Sequence, residues 1–293
     1  MPELPEVETI ARELAPLVRH AVIADVWLDW PRVVRHPAPD AFAAGLRGRT
    51  ILDVGRRAKW LVMDCDGGAV LAIQIKMTGQ LTVPPATEPR DPHVHLALRL
   101  EDGRELRLRD VRKFARVGLY RRDEAGTVLD ADEARELFAG HGPEPLESAF
   151  TLGAFRRLLR ARRGRLKSLL LDQSFIAGIG NIYADEALWR ARLHPLRRAD
   201  TLRPPHERRL YEAIRGVLSE AIERRGSSID DYTAPQGDGE MQEHLDVYQR
   251  TGQPCHRCGR PIRRIVLGAR GTHYCAWCQR LPRRSSRPRA EGA

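Results

Sequence analysis

Lysine is nearly missing from this chain. Only Lys59, Lys76, Lys113 and Lys167 occur among 49 basic residues. Arginine supplies the remaining positive charge, so a retained lysine is a candidate for chemistry that guanidinium cannot do. An ammonium shifts its pKa and transfers protons, whereas guanidinium stays charged. Lys59 is the foremost of the four, because it follows Gly55-Arg56-Arg57-Ala58 in a turn-like stretch. Long apolar runs are missing too, which excludes a membrane-spanning helix. The first residues are acidic and lack the apolar core of a signal peptide. A cytoplasmic protein is therefore expected. Cysteine is scarce, at five residues, and two disulfides are a weak reading without a secretion signal. Acidic residues run short only in the second half. Residues 1–150 hold 21 Lys+Arg against 24 Asp+Glu, and residues 151–293 hold 28 against 15. The net charge of +10 thus comes from the second half, as in a polyanion-binding module joined to another domain.

What is present divides the same way. Residues 4–18 carry apolar side chains at Val7, Ile10, Ala11, Leu14 and Val18, a helical period. From 21 to 120 alternation dominates, notably over 61–63, 69–75, 94–100, 105–109 and 115–120, with Asp102-Gly103 as a hairpin turn. Many short strands at this spacing predict a sandwich or barrel. Residues 84–92 read as a loop, 130–138 as a short helix and 140–145 as a linker. Amphipathic stripes at 152–159 and 206–222 predict helices. The fold class is α+β, with more than one core in 293 residues.

The cysteines carry the sharpest spacing. Cys255-x2-Cys258 and Cys275-x2-Cys278 are separated by sixteen residues, the two-knuckle pattern of a zinc ribbon. Four thiolates leave no open coordination position, so one structural Zn²⁺ is expected. Cys65 lies in a strand-like run and reads as a core thiol. In Gly178-Ile179-Gly180-Asn181, two glycines before a helix expose backbone N–H groups suited to phosphate. Arg270, flanked by Gly268 and Gly271, could also reach phosphate. Residues 226–242 read as a long functional loop, and 283–293 as a tail with nothing to pack.

The octapeptide Met1-Pro2-Glu3-Leu4-Pro5-Glu6-Val7-Glu8 has two readings. Pro and Glu suit the first turn of a helix. If Met1 is removed, Pro2 also carries a free secondary amine, and an α-amine titrates near pKa ~8, so a fraction is nucleophilic at neutral pH.

Pro2-Glu3-Leu4-Pro5-Glu6, Arg57-Ala58-Lys59, Gly142-Pro143-Glu144-Pro145-Leu146, Gly178-Ile179-Gly180-Asn181-Ile182-Tyr183 and the four cysteines occur in this order. Together they resemble the formamidopyrimidine-DNA glycosylase family of base-excision repair, a resemblance running from residue 2 to about 280. It implies an N-terminal β-sandwich with flanking helices at 2–130, a linker at 131–150, a helix–two-turn–helix domain at 151–246 and a zinc ribbon at 247–281; the composition of the remainder predicts a disordered tail at 282–293. The resemblance implies a bifunctional DNA glycosylase/AP lyase that acts on damaged double-stranded DNA and removes oxidised purines; a monomer is expected because DNA must enter an open cleft. Pro2 would attack C1′, and Glu3 would assist sugar opening. Lys59 would contact phosphate and serve β-elimination, and Arg270 would serve δ-elimination. Asn181 with the backbone before it, Arg163 and nearby Lys167 would grip phosphates. Met77, Arg112 and Phe114 would fill the hole left by the extruded base, and the 226–242 loop would cover that base. Extrusion is required because a duplex hides C1′ from attack.

The chain departs from the family pattern at Val111-Arg112-Lys113-Phe114-Ala115, where Pro-Arg-Arg-Phe-Gly is usual. Asp91 stands where the family has the first histidine of a phosphate-contacting pair, and His93 is given no role. Two alternatives stay open at this point: a Nei-type glycosylase for oxidised pyrimidines, and a non-catalytic zinc-ribbon DNA-binding protein.

Overall fold

The computed structural model describes residues 1–130, 135–228 and 237–281. The tail at 283–293, the centre of the 226–242 loop and residues 131–134 of the expected short helix lie outside the described residues. Residues 135–138 are not helical: Glu136 bridges Leu129, and a turn follows.

Two compact units emerge, and neither is one continuous stretch. The first comprises 1–150, 170–180 and 215–245, and the second 151–169, 181–214 and 246–293.

The first unit opens with α1 (Leu4–Val18). Pro5 suits its first turn, and the Glu6 carboxylate returns to accept the Glu3 backbone N–H at 2.8 Å, half of a capping box. Then come β1 (Ile23–Leu28), β2 (Val34–His36), α2 (Pro39–Leu46), β3 (Ile51–Arg57), β4 (Trp60–Cys65), β5 (Ala69–Gln74), β6 (Gly79–Thr82), β7 (Val94–Leu100), β8 (Glu105–Asp110), β9 (Arg116–Arg122) and β10 (Val128–Leu129). One antiparallel sheet has the order β1-β7-β8-β6. The other runs β10-β9-β5-β4-β3, with β2 parallel to β9. Leu96, Leu98 and Leu108 of the first sheet share one core with Leu61, Met63, Leu71 and Val117 of the second and with Ile10 and Leu14 of α1. The period of two is plain in β4: Leu61 and Met63 face that core, while Val62 turns away to pack with Val70, Val128 and Phe138. Cys65 is buried here. Burial, with Asp66 and Asp64 nearby, pushes its thiol up to about 12, leaving it an inert core group.

The second unit is built on α3 (Leu152–Arg160), α5 (Asn181–Arg190) and a zinc-ribbon hairpin, β11 (Arg263–Leu267) with β12 (Arg270–Tyr274). Two further helices, α4 (Leu166–Leu171) and α6 (Pro204–Glu223), each pass from one unit to the other along the chain. Every residue of α5 from Ile182 to Trp189 is buried, so this helix is a core element rather than an amphipathic one. Two of those residues are acidic. Asp185 accepts the His273 backbone N–H at 2.8 Å, and Glu186 accepts those of Asp246, Val247 and Tyr248 at 2.8–2.9 Å. Burial raises Glu186 to about 7 despite these donors. Both carboxylates fasten the ribbon and its approach to α5.

Candidate active site

In the first unit the N-terminus is clasped by the glycine turn that precedes α5 in sequence. The Leu4 N–H donates to the Gly178 carbonyl at 2.9 Å, and the Gly180 N–H donates to the Glu3 carboxylate at 2.6 Å. Both glycines are sterically required. A Cβ on Gly180 would lie 2.4 Å from Glu3 Cδ, and one on Gly178, whose φ is +84°, would lie 2.7 Å from Leu4. The turn was expected to offer its N–H groups to phosphate. Gly180's is instead spent on Glu3, a group 177 residues away in sequence. Pro2 and Glu3 are buried, while Met1 is half exposed. Glu6 reaches further: its other oxygen accepts the Ser227 N–H at 2.8 Å, tying the start of the 226–242 loop to the first turn of α1.

Lys59 sits in the two-residue turn between β3 and β4, after Ala58 at φ +54°. That turn is held from outside the hairpin. Glu144 is buried and accepts the Ala58 N–H at 2.6 Å, Arg57 Nη1 at 2.7 Å and Arg56 Nη1 at 2.8 Å. Burial pushes the Glu144 carboxyl up, but Arg56, the Ala58 N–H and Arg57 outweigh it and hold it below its ordinary value. Arg56 also pairs with Glu8 of α1 at 3.1 Å, linking the Lys59 hairpin to the helix that starts at the N-terminus. Lys76 lies near Lys59. Burial, with Arg116, Lys59 and Arg35 around it, lowers its pKa.

Met77, Arg112 and Phe114 come together at the surface of the same unit. Arg112 Nη1 is 3.5 Å from Met77 Sδ, and its guanidinium carbon is 4.7 Å from the Phe114 ring. Met77 and Phe114 are 37% and 46% exposed, too open for core side chains. Buried Asp110 organises them. It accepts the N–H groups of Ala115 at 2.6 Å and Arg112 at 3.3 Å, and it takes the Thr78 hydroxyl from the Met77 loop. The left-handed residues Lys76 and Lys113 mark the two turns.

In the second unit Asn181 opens α5, and its Nδ2 donates to the Gly271 carbonyl at 3.0 Å, beside Arg270 at the head of β12. An amide nitrogen has two donors, so one is left for a ligand. Lys167 requires correction. It was expected at a phosphate, but it is wholly buried, with Nζ 2.7 Å from Asp185 and 2.8 Å from the Asn181 carbonyl. Through these two contacts Lys167 braces the start of α5 at Asn181. Arg163 and Arg270 are exposed.

The four thiols at Cys255, Cys258, Cys275 and Cys278 lie within 4.8 Å of one another. Ligands about 2.3 Å from a tetrahedral zinc lie roughly 3.8 Å apart, so the cluster fits that ion.

Glu144 and Asp110 are positioning residues that sequence reasoning left without a role. The signal for Glu144 was its place inside a quoted motif, and that for Asp110 its place just before the Val111–Ala115 stretch.

Known proteins match three stretches of the chain. Residues 1–117 match the formamidopyrimidine-DNA glycosylase N-terminal domain, 141–233 its H2TH domain, and 252–281 the zinc finger found in FPG and IleRS. The formamidopyrimidine-DNA glycosylase of Roseiflexus sp. (strain RS-1) is 50% identical over 282 residues, covering 96% of this chain and all of that protein. Its counterpart in Geobacillus kaustophilus is 44% identical over 283 residues, with 96% of this chain and all of that protein covered. The crystal structure of MutM (FPG) from Thermus thermophilus superposes with a TM-score of 0.82 at 44% identity, over 95% of this chain and 98% of that one. Wild-type Lactococcus lactis Fpg, solved with N7-benzyl-Fapy-dG-containing DNA, gives 0.86 at 35% identity, over 96% and 100%. The zinc-finger match and the thiol cluster together support one structural zinc, held by the four cysteines.

Proposed function

The chain belongs to the formamidopyrimidine-DNA glycosylase family, DNA glycosylases and AP lyases of base-excision repair, and we propose that its own catalysis runs through Pro2, Glu3, Lys59 and Arg270. The substrate is duplex DNA holding an oxidised purine, the class of lesion the family is named for. After removal of Met1, the Pro2 nitrogen bonds to C1′ of the extruded nucleotide, and the glycosidic bond breaks with its electron pair leaving on the base, which takes up the proton that the amine loses. Glu3 protonates the ring oxygen, the C1′–oxygen bond opens, and an iminium forms. The iminium acidifies C2′. Loss of that proton expels the 3′ phosphate, and a second elimination expels the 5′ phosphate. Lys59 and Arg270 hold those phosphates and assist the two eliminations.

The observation that carries this reading is the seat of Glu3. Its carboxylate is fixed by the Gly180 N–H, and its own N–H is fixed by Glu6, so the residue beside the nucleophile has little freedom. The exposed trio of Met77, Arg112 and Phe114 supports the wedge role, since apolar wedges offset lost stacking. Asn181 and Arg163 are assigned to phosphates, with Lys167 as the brace of Asn181. The enzyme works as a monomer in the cytoplasm, on the nucleoid; no described helix is long and apolar enough to cross a membrane. Borohydride reduction on a lesion duplex tests the reading. A covalent adduct mapped to the Pro2 nitrogen is expected, and an adduct through any other nitrogen, or none from Met1-processed protein, refutes it.

A further inference from the structure

We propose that the zinc ribbon carries an additional phosphate-binding station, the Arg260–Trp277–Arg280 stack, which grips the DNA backbone in addition to Arg270, Asn181 and Arg163. This rests on the chain's being a DNA-binding enzyme and is independent of which residues do the chemistry.

Residues 252–281 contain six arginines and no Asp or Glu. The ribbon therefore has no acidic group of its own to neutralise them. Two of the six are held in a defined way. The guanidinium carbons of Arg260 and Arg280 each lie 3.8 Å from the centre of the Trp277 ring. Two cations at that distance cannot share one face without overlapping, so one covers each face. Their separation is then at most about 7.6 Å, on the scale of neighbouring phosphates along one strand. Arg280 is further fixed by its Nε donating to the Trp277 carbonyl at 3.1 Å. Neither guanidinium meets a carboxylate among the described residues.

Trp277 itself is 49% exposed. It lies inside the second knuckle, between Cys275 and Cys278, where metal binding sets the backbone. With both faces covered it offers no platform for a stacking base. Its effect is to hold two planar donor forks in place before a ligand arrives, which lowers the ordering cost of binding. Guanidinium suits phosphate oxygens, often with two parallel bonds. A repeating line of anions, rather than one anion, matches two cations so spaced. The sugar–phosphate backbone supplies that line, whereas base edges and single anions do not.

The test is the salt dependence of binding by the full-length, zinc-loaded enzyme to a duplex holding a stable abasic-site analogue. Each phosphate neutralised contributes about 0.9 to the slope of log K against log salt concentration. The double variant Arg260→Gln/Arg280→Gln should lower the magnitude of that slope by about 1.8. One zinc per chain, measured on the same sample, shows that the ribbon is folded. A slope equal to wild type in the zinc-loaded double variant overturns the proposal and leaves the stack to an acidic protein partner. Borohydride trapping reads the catalytic assignment separately: if wild type fails to trap, that assignment falls while the slope comparison still decides this one.

Discussion

Replacing Glu144 tests how the Lys59 turn is held. The carboxylate is only 2% exposed and serves two guanidiniums and one backbone N–H, all within 2.8 Å. Glu144→Ala would strand Arg56, itself 9% exposed, with Glu8 as its remaining acid. Breaking a buried pair by removing one partner costs about 3–5 kcal/mol. Arg57 is 28% exposed and regains water, which places the expected loss near the lower end, roughly 3 kcal/mol. Glu144→Gln keeps one acceptor for the Ala58 N–H and should lose about 2 kcal/mol, the worth of the charge in such bonds. The native carboxyl titrates below its unfolded value of 4.5. Its stabilisation is therefore complete above that pH and disappears as pH falls through the native value, so wild type and Glu144→Gln should converge in acid. Urea denaturation at pH 7 and again below pH 4 measures both effects. Single-turnover cleavage of a preformed abasic duplex should slow in Glu144→Gln more than zinc content or duplex binding changes. If Glu144→Gln unfolds within about 0.5 kcal/mol of wild type at pH 7, the range of an ordinary surface substitution, the carboxylate is not what holds the turn.

Other substitutions probe the remaining contacts. Pro2→Gly should lose most adduct formation under borohydride while duplex affinity stays close to wild type; strong loss of affinity would mean that Pro2 serves binding instead. Glu3→Gln should slow base excision by about 10²–10⁴, the usual contribution of a positioned acid, with little change in binding. Gly180→Ala places a methyl 2.4 Å from Glu3 Cδ, so the acid must move. A displacement on the order of 1 Å costs about a hundredfold in rate, and an unchanged excision rate would show that the Gly180 contact does not set the acid. Cys258→Ser, or chelation of wild type, should weaken DNA binding through unfolding of the ribbon; normal affinity after zinc loss would remove the ribbon from the interface.

The parts legible in the sequence are those with local causes. The α1 helix could be bounded because its apolar period and its Pro and Glu start signals lie in one short stretch. Likewise β5 is apolar from Ala69 to Ile73 and β7 is apolar apart from His95 and Arg99, and the cysteine spacing is a local pattern. The α2 helix was missed because its eight residues, flanked by turn formers, are too few to show a period. The errors at the site share another cause. An anionic ligand points to cations and open N–H groups, and such groups are not open where a distant acid already holds them. Lys167 looked free because its partner Asp185 lies 18 residues on, and the Gly180 N–H looked free because Glu3 lies 177 residues back.

In a chain with so large a basic surplus, each turn assigned a role above is pinned by a buried acid that accepts backbone N–H groups. Glu6 pins Glu3 and Ser227, Glu3 pins Gly180, Asp110 pins the Arg112 turn, Glu144 pins the Lys59 turn, and Asp185 pins the hairpin that bears Arg270. A carboxylate suits this task because it accepts several bonds at once and, being charged, makes each stronger. A buried acid holds the backbone of such a turn from a position that a bound phosphate does not reach. The acids that matter here are accordingly the buried ones.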